Sequence, residues 1–256
     1  MKHRQRGLIA ILDALGAATY SESEIDKFLE SRELVLEKLN QRAEAGLIDK
    51  ARLRLFTFND TVVIVYLAVA GQDVSLKDID TFAVRLRAFM MHSFESQILF
   101  RGSISVGEFR LVDDATNTVM GPAVSDAAAW YNQADWIGIA ATPHATMFIQ
   151  SLLERESKNL DHILVDHDVP LRVKGSSVNA KAVNWPKAFY VTGLRPKLKG
   201  GARSMILSFL ARHRVPLGTE SKYQNTIDFF DTVKKKQQLG TGKRGTGNVK
   251  DPIAKL

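Results

Sequence analysis

Two kinds of hydrophobic pattern alternate along this chain. Residues 7–13 form an almost continuous apolar run, which is typical of a buried strand. Residues 22–45 instead carry apolar side chains three and four positions apart among charged ones, which predicts a helix. Both patterns recur downstream, and the elements that they predict are strands at 53–58, 61–69, 98–112, 116–120 and 136–140 and helices at 73–95, 122–135 and 143–156.

The order of these elements, β-α-β-β-α-β-β-α-β-α, is not a strict alternation of strand and helix. It predicts a mixed sheet with helices packed on it, an α/β (α+β) arrangement of ferredoxin-like character. After residue 156 the pattern is looser. The weaker signals there predict short strands at 164–165 and 169–173, an aromatic-anchored loop at Asn184-Trp185-Pro186, and helices at 202–212 and 220–236.

These elements divide the chain into three parts. We expect residues 1–195 to form the main domain and residues 196–236 a helical extension packed on it. In residues 237–256 glycine, threonine and basic residues outnumber the apolar ones, and we interpret this segment as a disordered basic tail.

Composition excludes several classes of protein. The chain is 45% hydrophobic and 25% charged, which is ordinary for a soluble globular protein. Its apolar stretches are shorter than the ~20 residues of a membrane span, so we predict no membrane association. Since it has no cysteine, it can form neither disulfides nor thiolate metal sites, which fits a cytoplasmic protein.

The net charge of +7 does not indicate a nucleic-acid partner, because it is unevenly placed. Most of it lies after Val233, where lysines and arginines are opposed by a single acid, Asp251. We therefore attribute the excess charge to the tail and predict no nucleic-acid binding.

Two aspartates sit in contexts that suit a divalent metal ion. Asp13 ends the first apolar run, and Gly16 just beyond it permits a tight turn whose amides can face phosphate oxygens. Asp60 lies in the short turn between two predicted strands. Carboxylates held at the ends of neighbouring strands form a hard oxygen site for Mg²⁺ or Mn²⁺. The spacing alone leaves an alternative open, in which Asp13 caps the next segment and Asp60 occupies an ordinary hairpin turn.

Four segments, in order, resemble the active-site motifs of the class III nucleotide cyclases. Leu12-Asp13-Ala14-Leu15-Gly16-Ala17 resembles the first metal-aspartate motif, and Phe58-Asn59-Asp60-Thr61 resembles the second. The segment 100–107 is similar to the family's Arg-containing strand that ends in Gly, and 120–128 to the turn and helix start of its last active-site element. The four segments lie within residues 12–128, and with a late Lys-Gly match at Lys174-Gly175 the resemblance extends over roughly the first two thirds of the chain. The resemblance implies a ferredoxin-like cyclase domain that works as a head-to-tail homodimer.

The resemblance also implies roles for individual residues. Asp13 and Asp60 would hold two Mg²⁺ or Mn²⁺ ions, and the backbone of Ala14 would complete one coordination shell. Arg101 and Lys174 would face the phosphates, although either one can also be read as a solvated cation at a strand end. The amides that would cradle the triphosphate belong to Leu15, Gly16, Ala17, Ala18 and Thr19.

The chain departs from the family's pattern in ways that bear on catalysis and on the base. The helix that opens at Gly121 has Ser125 and Ala129 where the family has Asn and a transition-state Arg. Ser125 can still bond a ribose or a base, but Ala129 supplies no charge, so either another cation substitutes or the enzyme is slow. Phe56 and Thr118 occupy the base-reading positions, and neither matches the adenylate or the guanylate pattern.

These departures, with a Phe-Asn-Asp-Thr second motif, resemble the pyrimidine cyclases of bacterial Pycsar antiphage defence, most of all uridylate cyclases. The resemblance implies conversion of UTP to 3′,5′-cyclic UMP and pyrophosphate, with the product activating a separate effector. The candidates for reading uracil are Arg54, Phe56, Asn117 and Thr118, although Phe56 can also be read as a plain core aromatic. The alternatives are an adenylate, guanylate or cytidylate cyclase, or a catalytically weak cyclase-like domain that binds a nucleotide.

Overall fold

A computed structural model describes residues 4–17, 20–42, 50–111, 118–191, 201–213, 215 and 217–241 of the 256-residue chain. These ranges contain eight strands and seven α-helices. In chain order they are β1 Gln5–Ala14, α1 Glu22–Arg42, β2 Leu53–Phe58, β3 Thr61–Leu67, α2 Leu76–Glu95, β4 Phe100–Leu111, β5 Val119–Met120, α3 Pro122–Trp130, β6 Ile139–Ala141, α4 Pro143–Glu156, β7 Leu164–Pro170, β8 Ser177–Val183, α5 Pro186–Val191, α6 Gly201–Ala211 and α7 Glu220–Thr241.

The strands form one mixed sheet in the order β2-β3-β1-β4-β6-β8-β7, with β5 paired to β4 off this path. The pair β4 and β6 is parallel, whereas the other pairs named here are antiparallel. Helices flank the sheet, which confirms the predicted mixed α/β fold. Among the described residues, none of the helices is both long and apolar enough to cross a membrane.

The central strand β1 separates two apolar clusters. Leu8 and Leu12 belong to the larger cluster, which also contains buried side chains of α1, α2 and α4. Ile9 and Ile11 belong to a smaller cluster that includes Ala123 and Ala127 of α3. Side chains alternate between the two faces of a strand. The side chain of Asp13 therefore lies on the α3 face, at the end of β1.

Most of the predicted elements are present with shifted ends, but the region after α4 differs from the prediction. The two short strands expected at 164–165 and 169–173 are one strand, β7, which ends at Pro170. The sequence pattern did not indicate β8. Its sequence, Ser-Val-Asn-Ala-Lys-Ala-Val, is rich in residues with low strand propensity. Pairing with β7 along its whole length and with β6 at Ala140–Ala182 compensates for that propensity.

Helices α5 and α7 attach to the rest of the chain through buried aromatic side chains. Trp185 precedes α5 and packs against Phe94 of α2, with ring centroids 4.9 Å apart. The rings of Phe229 in α7 and Trp136 pack edge to face, with ring centroids 4.6 Å apart. Helix α7 continues to Thr241, five residues beyond the predicted end of the extension. The remainder of the predicted tail, 242–256, lies outside the described residues.

Candidate active site

Asp13 and Asp60 meet at one edge of the sheet. Thr61 is opposite Asp13 in the register of β1 and β3, so Asp60 directly precedes the residue paired with Asp13. The amide of Ala14 donates to the carbonyl oxygen of Asp60 at 3.1 Å. The structure thus brings together the two aspartates that the sequence had singled out 47 residues apart.

A buried arginine braces the turn that carries Asp60. Asn59 has a φ of +50°, a left-handed conformation that Asn tolerates better than most residues. Arg32 of α1 is 8% exposed, and its Nη1 donates to the carbonyl oxygen of Asn59 at 2.6 Å. The β2–β3 turn is therefore tied to α1 as well as to β1.

Arg101 holds the carboxylate of Asp13. It lies opposite Asp13 on β4, is buried, and donates to Oδ2 of Asp13 from Nη2 at 3.0 Å and from Nε at 3.2 Å. Its Nη1 also donates to the carbonyl oxygen of Asn132 at 3.3 Å. In this state Arg101, expected to face phosphate, acts as the counter-ion of Asp13.

The electrostatic setting of Asp13 favours an added cation. Burial raises the pKa of its carboxyl, and the Arg101 guanidinium opposes that rise. The charge of Asp60 raises the pKa further. Two carboxylates close enough to repel each other are relieved by a divalent ion that binds both.

The donor set fits a magnesium or manganese ion shared with a polyphosphate. Asp13 and Asp60 supply the carboxylates, and the carbonyl oxygen of Ala14 follows Asp13 directly. The described ranges contain no group of three or more Asp, Glu or His side chains that could enclose an ion. Mg²⁺ commonly takes one or two carboxylates and completes its shell with waters and substrate phosphates, which suits this set.

The turn after β1 restricts the predicted phosphate cradle. The amide of Leu15 donates to the carbonyl oxygen of Leu99 at 2.8 Å, which occupies it, so the cradle is confined to the amides after it. Gly16 has a φ of +87°, a conformation that favours glycine. Ala18 and Thr19 lie outside the described residues.

A cavity of about 490 Å³ opens beside Asp60. Ala17 and Tyr20 line it from the turn after β1, and Asn59 and Asp60 line it from the β2–β3 turn. Its apolar wall consists of Ile25, Phe28 and Leu29 of α1. The cavity therefore joins the second aspartate to the predicted phosphate cradle.

The predicted base-reading residues lie apart from this cavity. Phe56 is half-buried on β2 against the smaller apolar cluster, on the same sheet face as Asp13. Nη1 of Arg54 donates to the carbonyl oxygens of Ala51 and Leu53, both at 2.9 Å. Thr118 is half-buried before β5, and Ser125 is exposed on α3. Asn117 lies outside the described residues.

Contacts at Gly121 and at Asp126 fix the position of the first turns of helix α3. Gly121 begins it with a φ of +142°, and a Cβ there would lie 2.7 Å from Cα of Phe109. Oδ2 of Asp126 accepts from Oγ of Ser105 and from Oγ1 of Thr142, both at 2.6 Å. These contacts join α3 to β4 and to the start of α4.

Two further cations near Asp13 were missed by the sequence analysis. Lys174 is exposed in the turn after β7. The positive charge that acts on Asp13 from this turn belongs instead to Arg172, two residues earlier. Lys222 of α7 also interacts electrostatically with Asp13. Arg172 could have been identified from the sequence, because it lies two residues before the predicted Lys174-Gly175. The local sequence around Lys222 contains no comparable signal.

Comparisons with known proteins give distant structural likenesses only. No family model matches the chain, and none of the curated proteins matches it in sequence. Among solved structures, the adenylyl cyclase CyaB from P. aeruginosa is similar at 14% identity and a TM-score of 0.46, over 72% of this chain and 95% of that one. The catalytic core of a rhodopsin-guanylyl cyclase with converted specificity, in complex with ATPalphaS, has the same identity and score over 72% and 98%. The monomeric guanylyl cyclase domain of the RhoGC fusion protein from the aquatic fungus Blastocladiella emersonii is similar at 13% identity and a TM-score of 0.43, over 72% and 97%. At such scores the geometry of the site has to support any functional assignment.

Proposed function

We propose that this protein is a nucleotidyl cyclase that converts a nucleoside triphosphate to its 3′,5′-cyclic monophosphate and pyrophosphate. The observation that supports this most is the placement of Asp13 at the end of β1 beside the β2–β3 turn that carries Asp60, next to a cavity that begins at the turn after β1. That arrangement offers two carboxylates to a metal-bound triphosphate, in the order along the chain that the class III motifs imply.

In the proposed reaction the 3′-oxygen attacks the α-phosphorus in line, and pyrophosphate leaves. A new bond joins the 3′-oxygen to the α-phosphorus, the bond from that phosphorus to the bridging oxygen of pyrophosphate breaks, and the hydroxyl proton passes to solvent. Divalent ions, when bound, neutralise the triphosphate and ease formation of the 3′-alkoxide. Asp13 and Asp60 fix where the triphosphate lies, and the amides after Leu15 orient its phosphates.

We further propose that UTP is the preferred substrate. Phe56 presents no hydrogen-bonding group at its position on β2, and Thr118 is small. Neither side chain matches the pair that would read adenine or guanine in the class III cyclases, so a purine would leave polar atoms of its edge without those partners, which disfavours ATP and GTP relative to a smaller base. Cyclic UMP would then be a messenger for a separate effector, as the resemblance to antiphage cyclases implies.

The proposed active site needs two copies of the chain. Phe56 lies on the α3 face, as does Asp13, and neither side chain lines the cavity beside Asp60. Phe58, which is 75% exposed, extends this partly covered apolar face. A head-to-tail homodimer would place the base-reading strand of one copy over the aspartates of the other.

Incubation of the purified protein with equal amounts of UTP, CTP, ATP and GTP and with Mn²⁺ or Mg²⁺ tests the proposal. Mass spectrometry of the products should show cyclic UMP in excess. A preference for another base would keep the cyclase assignment and refute UTP as the substrate. Absence of every cyclic product, with the metal varied, would refute the reaction.

One observation favours a second function, a nucleotide-binding domain with little turnover. Arg101 already neutralises Asp13, and Ala129 brings no charge to α3. Tight binding of a metal–triphosphate complex without pyrophosphate release over hours would support this function in place of cyclisation.

A further inference from the structure

Helix α7 is attached directly beside the candidate active site. Residues 132–137, which we call the crossing segment, run from the end of α3 towards β6. Nδ2 of Asn225 donates to the carbonyl oxygen of Asp135 at 2.7 Å. Oγ1 of Thr226 accepts from the buried amide of Ile137 at 2.8 Å. The first turns of α7 are thereby fixed to the crossing segment.

The same segment also holds the cations that surround Asp13. Arg101 donates to the carbonyl oxygen of Asn132 while it binds Asp13. The amide of Arg172 donates to the carbonyl oxygen of Gln133 at 2.9 Å. Arg101 from β4, Arg172 from the β7–β8 turn and the start of α7 therefore converge on one stretch of backbone.

Lys222 lies on the same side of α7 as the residues that anchor it. It precedes Asn225 and Thr226 by three and four positions, a spacing that places side chains on one face of a helix. Its charge interacts with Arg101, Arg172, Asp135 and Asp13. Lys222 thus faces the candidate active site.

The ammonium group of Lys222 has no directly bonded acidic partner among the described residues. Lys222 is half-buried, and within the described ranges its Nζ makes neither a hydrogen bond nor a salt bridge. Burial lowers its pKa, as do the nearby charges of Arg101 and Arg172, while Asp135 and Asp13 act in the opposite direction. Since Arg101 is already paired with Asp13, an additional anion that contacts Lys222 and Arg172 would relieve the remaining repulsion among the three cations.

We propose that Lys222, with Arg172 beside it, binds the polyphosphate of the nucleotide at the Asp13 site, so that α7 is part of the active site. This rests on the proposed cyclase function. The helix that opens at Gly121 carries Ala129 where a cation is expected, and Lys222 supplies positive charge near Asp13 from a different element. A cation there stabilises the charge that develops on the leaving pyrophosphate.

Calorimetric titration with inorganic tripolyphosphate and Mn²⁺ tests the proposal without relying on turnover. Lys222→Met keeps the length of the side chain and removes the charge, and it should weaken binding by about tenfold or more, since hydrogen bonds to charged groups are the stronger ones. Lys222→Arg should stay within about threefold of the wild type. Lys235→Met, an exposed cation further along α7, is the matched control and should bind as the wild type does.

Arg172→Met gives an independent measurement at an exposed position, where loss of folding is not expected. It should also weaken tripolyphosphate binding, by about threefold or more. Equal affinity of Lys222→Met and the wild type would overturn the proposal, as would a wild type that does not bind tripolyphosphate with Mn²⁺. If Lys222→Met does not fold, wild-type affinity in Arg172→Met overturns it.

The same titration separates this proposal from the cyclase assignment. A wild type that makes no cyclic nucleotide, but binds tripolyphosphate through Lys222, contradicts the assigned reaction and supports the polyphosphate site. A wild type that cyclises, with Lys222→Met unchanged in affinity and turnover, supports the reaction and overturns the role of Lys222. In an active enzyme Lys222→Met should lower kcat by a larger factor than it raises KM.

Discussion

At the scale of single residues, the site depends on side chains that touch neither metal nor substrate. Asp60 sits in a two-residue turn whose first residue, Asn59, has a left-handed backbone. Arg32 reaches that turn from α1, and its guanidinium also lies 5.7 Å from the ring centroid of Phe28. The position of the second carboxylate is therefore set by a helix that is distant in sequence.

Replacing Arg32 with Met should weaken Mn²⁺ affinity by about tenfold, because partners that orient a metal ligand commonly contribute that much. Lys27→Met, which removes an exposed cation from the same helix, is the control for the loss of charge. Mn²⁺ affinity can be followed by electron paramagnetic resonance of the free ion. Equal affinities in the two variants would show that Arg32 does not position Asp60.

His167 should make stability depend on pH. It is packed against Trp136 and Phe229, and burial lowers its pKa from 6.5 to about 4. As the pH falls from 6.5 towards 4, the unfolded chain binds a proton that the folded protein resists, so the free energy of unfolding decreases. The expected loss is about 1–2 kcal/mol after allowance for partial exposure.

Urea unfolding at pH 7 and pH 4.5 measures this effect. His167→Phe keeps an aromatic ring and removes the titration, so its stability should fall less than that of the wild type between the two pH values. Burial also lowers the pKa of His213, and the difference between the two proteins separates the effect of His167 from that of His213 and of the carboxylates. The same decrease in both would contradict this role of His167.

At the scale of elements, some strands and turns could be predicted from the local sequence pattern, whereas others depend on pairing with distant strands. The apolar run of β1 and the Asn59-Asp60 turn were readable from sequence, because a buried strand and a tight turn have local signatures. β8 was not readable, since its pairing with β7 and β6 outweighs a weak local preference. Lys222 was missed for the same reason: the contacts that bring α7 to the site join residues about 90 positions apart in sequence.

Helix α3 should depend strongly on the absence of a side chain at Gly121. A Cβ there would lie 2.7 Å from Cα of Phe109, so Gly121→Ala must displace the backbone of β4 or α3. Gly175→Ala is the control, since Gly175 also has a positive φ, +78°, but open space around it. We expect Gly121→Ala to be the less stable variant by about 1–3 kcal/mol, measured by urea unfolding. Equal losses of unfolding free energy in the two variants would mean that the backbone accommodates a Cβ beside Phe109 without destabilising the fold.

At the scale of the whole molecule, we expect an active site divided between two chains. Asp13 lies on the α3 face, Asp60 lies in the adjacent β2–β3 turn, and Phe56 is not among the residues that line the cavity beside Asp60. Arg101 binds Asp13 directly, so it belongs to the same half of the site as the aspartates.

Mixing two inactive variants tests this division. A chain with Asp13→Ala and Asp60→Ala, combined with a Phe56→Ala chain, should recover about a quarter of the wild-type activity, because half of the dimers would contain one intact site. The measurement is cyclic nucleotide formed after subunit exchange has been shown by cross-linking of tagged chains. No recovery, with exchange demonstrated, would place the whole site within one chain.

The basic tail should be dispensable for catalysis. Val233 is buried in α7, and Nζ of Lys236 donates to the carbonyl oxygen of Asp166 at 3.0 Å. A truncated chain should therefore keep all of α7 and lack only the residues after Thr241. The shortened protein should retain its rate of pyrophosphate release. A large loss of rate would assign the tail a role in the active enzyme.

The proposed function depends on Asp13 and Asp60 forming the reaction site together. Pyrophosphate release from UTP with Mn²⁺, compared among the wild type, Asp60→Asn and Asp161→Asn, tests it most directly. Asp60→Asn preserves the shape of the side chain and removes its charge, and it should reduce the rate by about a hundredfold or more, a loss of ~3 kcal/mol in transition-state stabilisation. Asp161→Asn, an exposed position before β7, should match the wild type. Wild-type rates in Asp60→Asn would contradict the account.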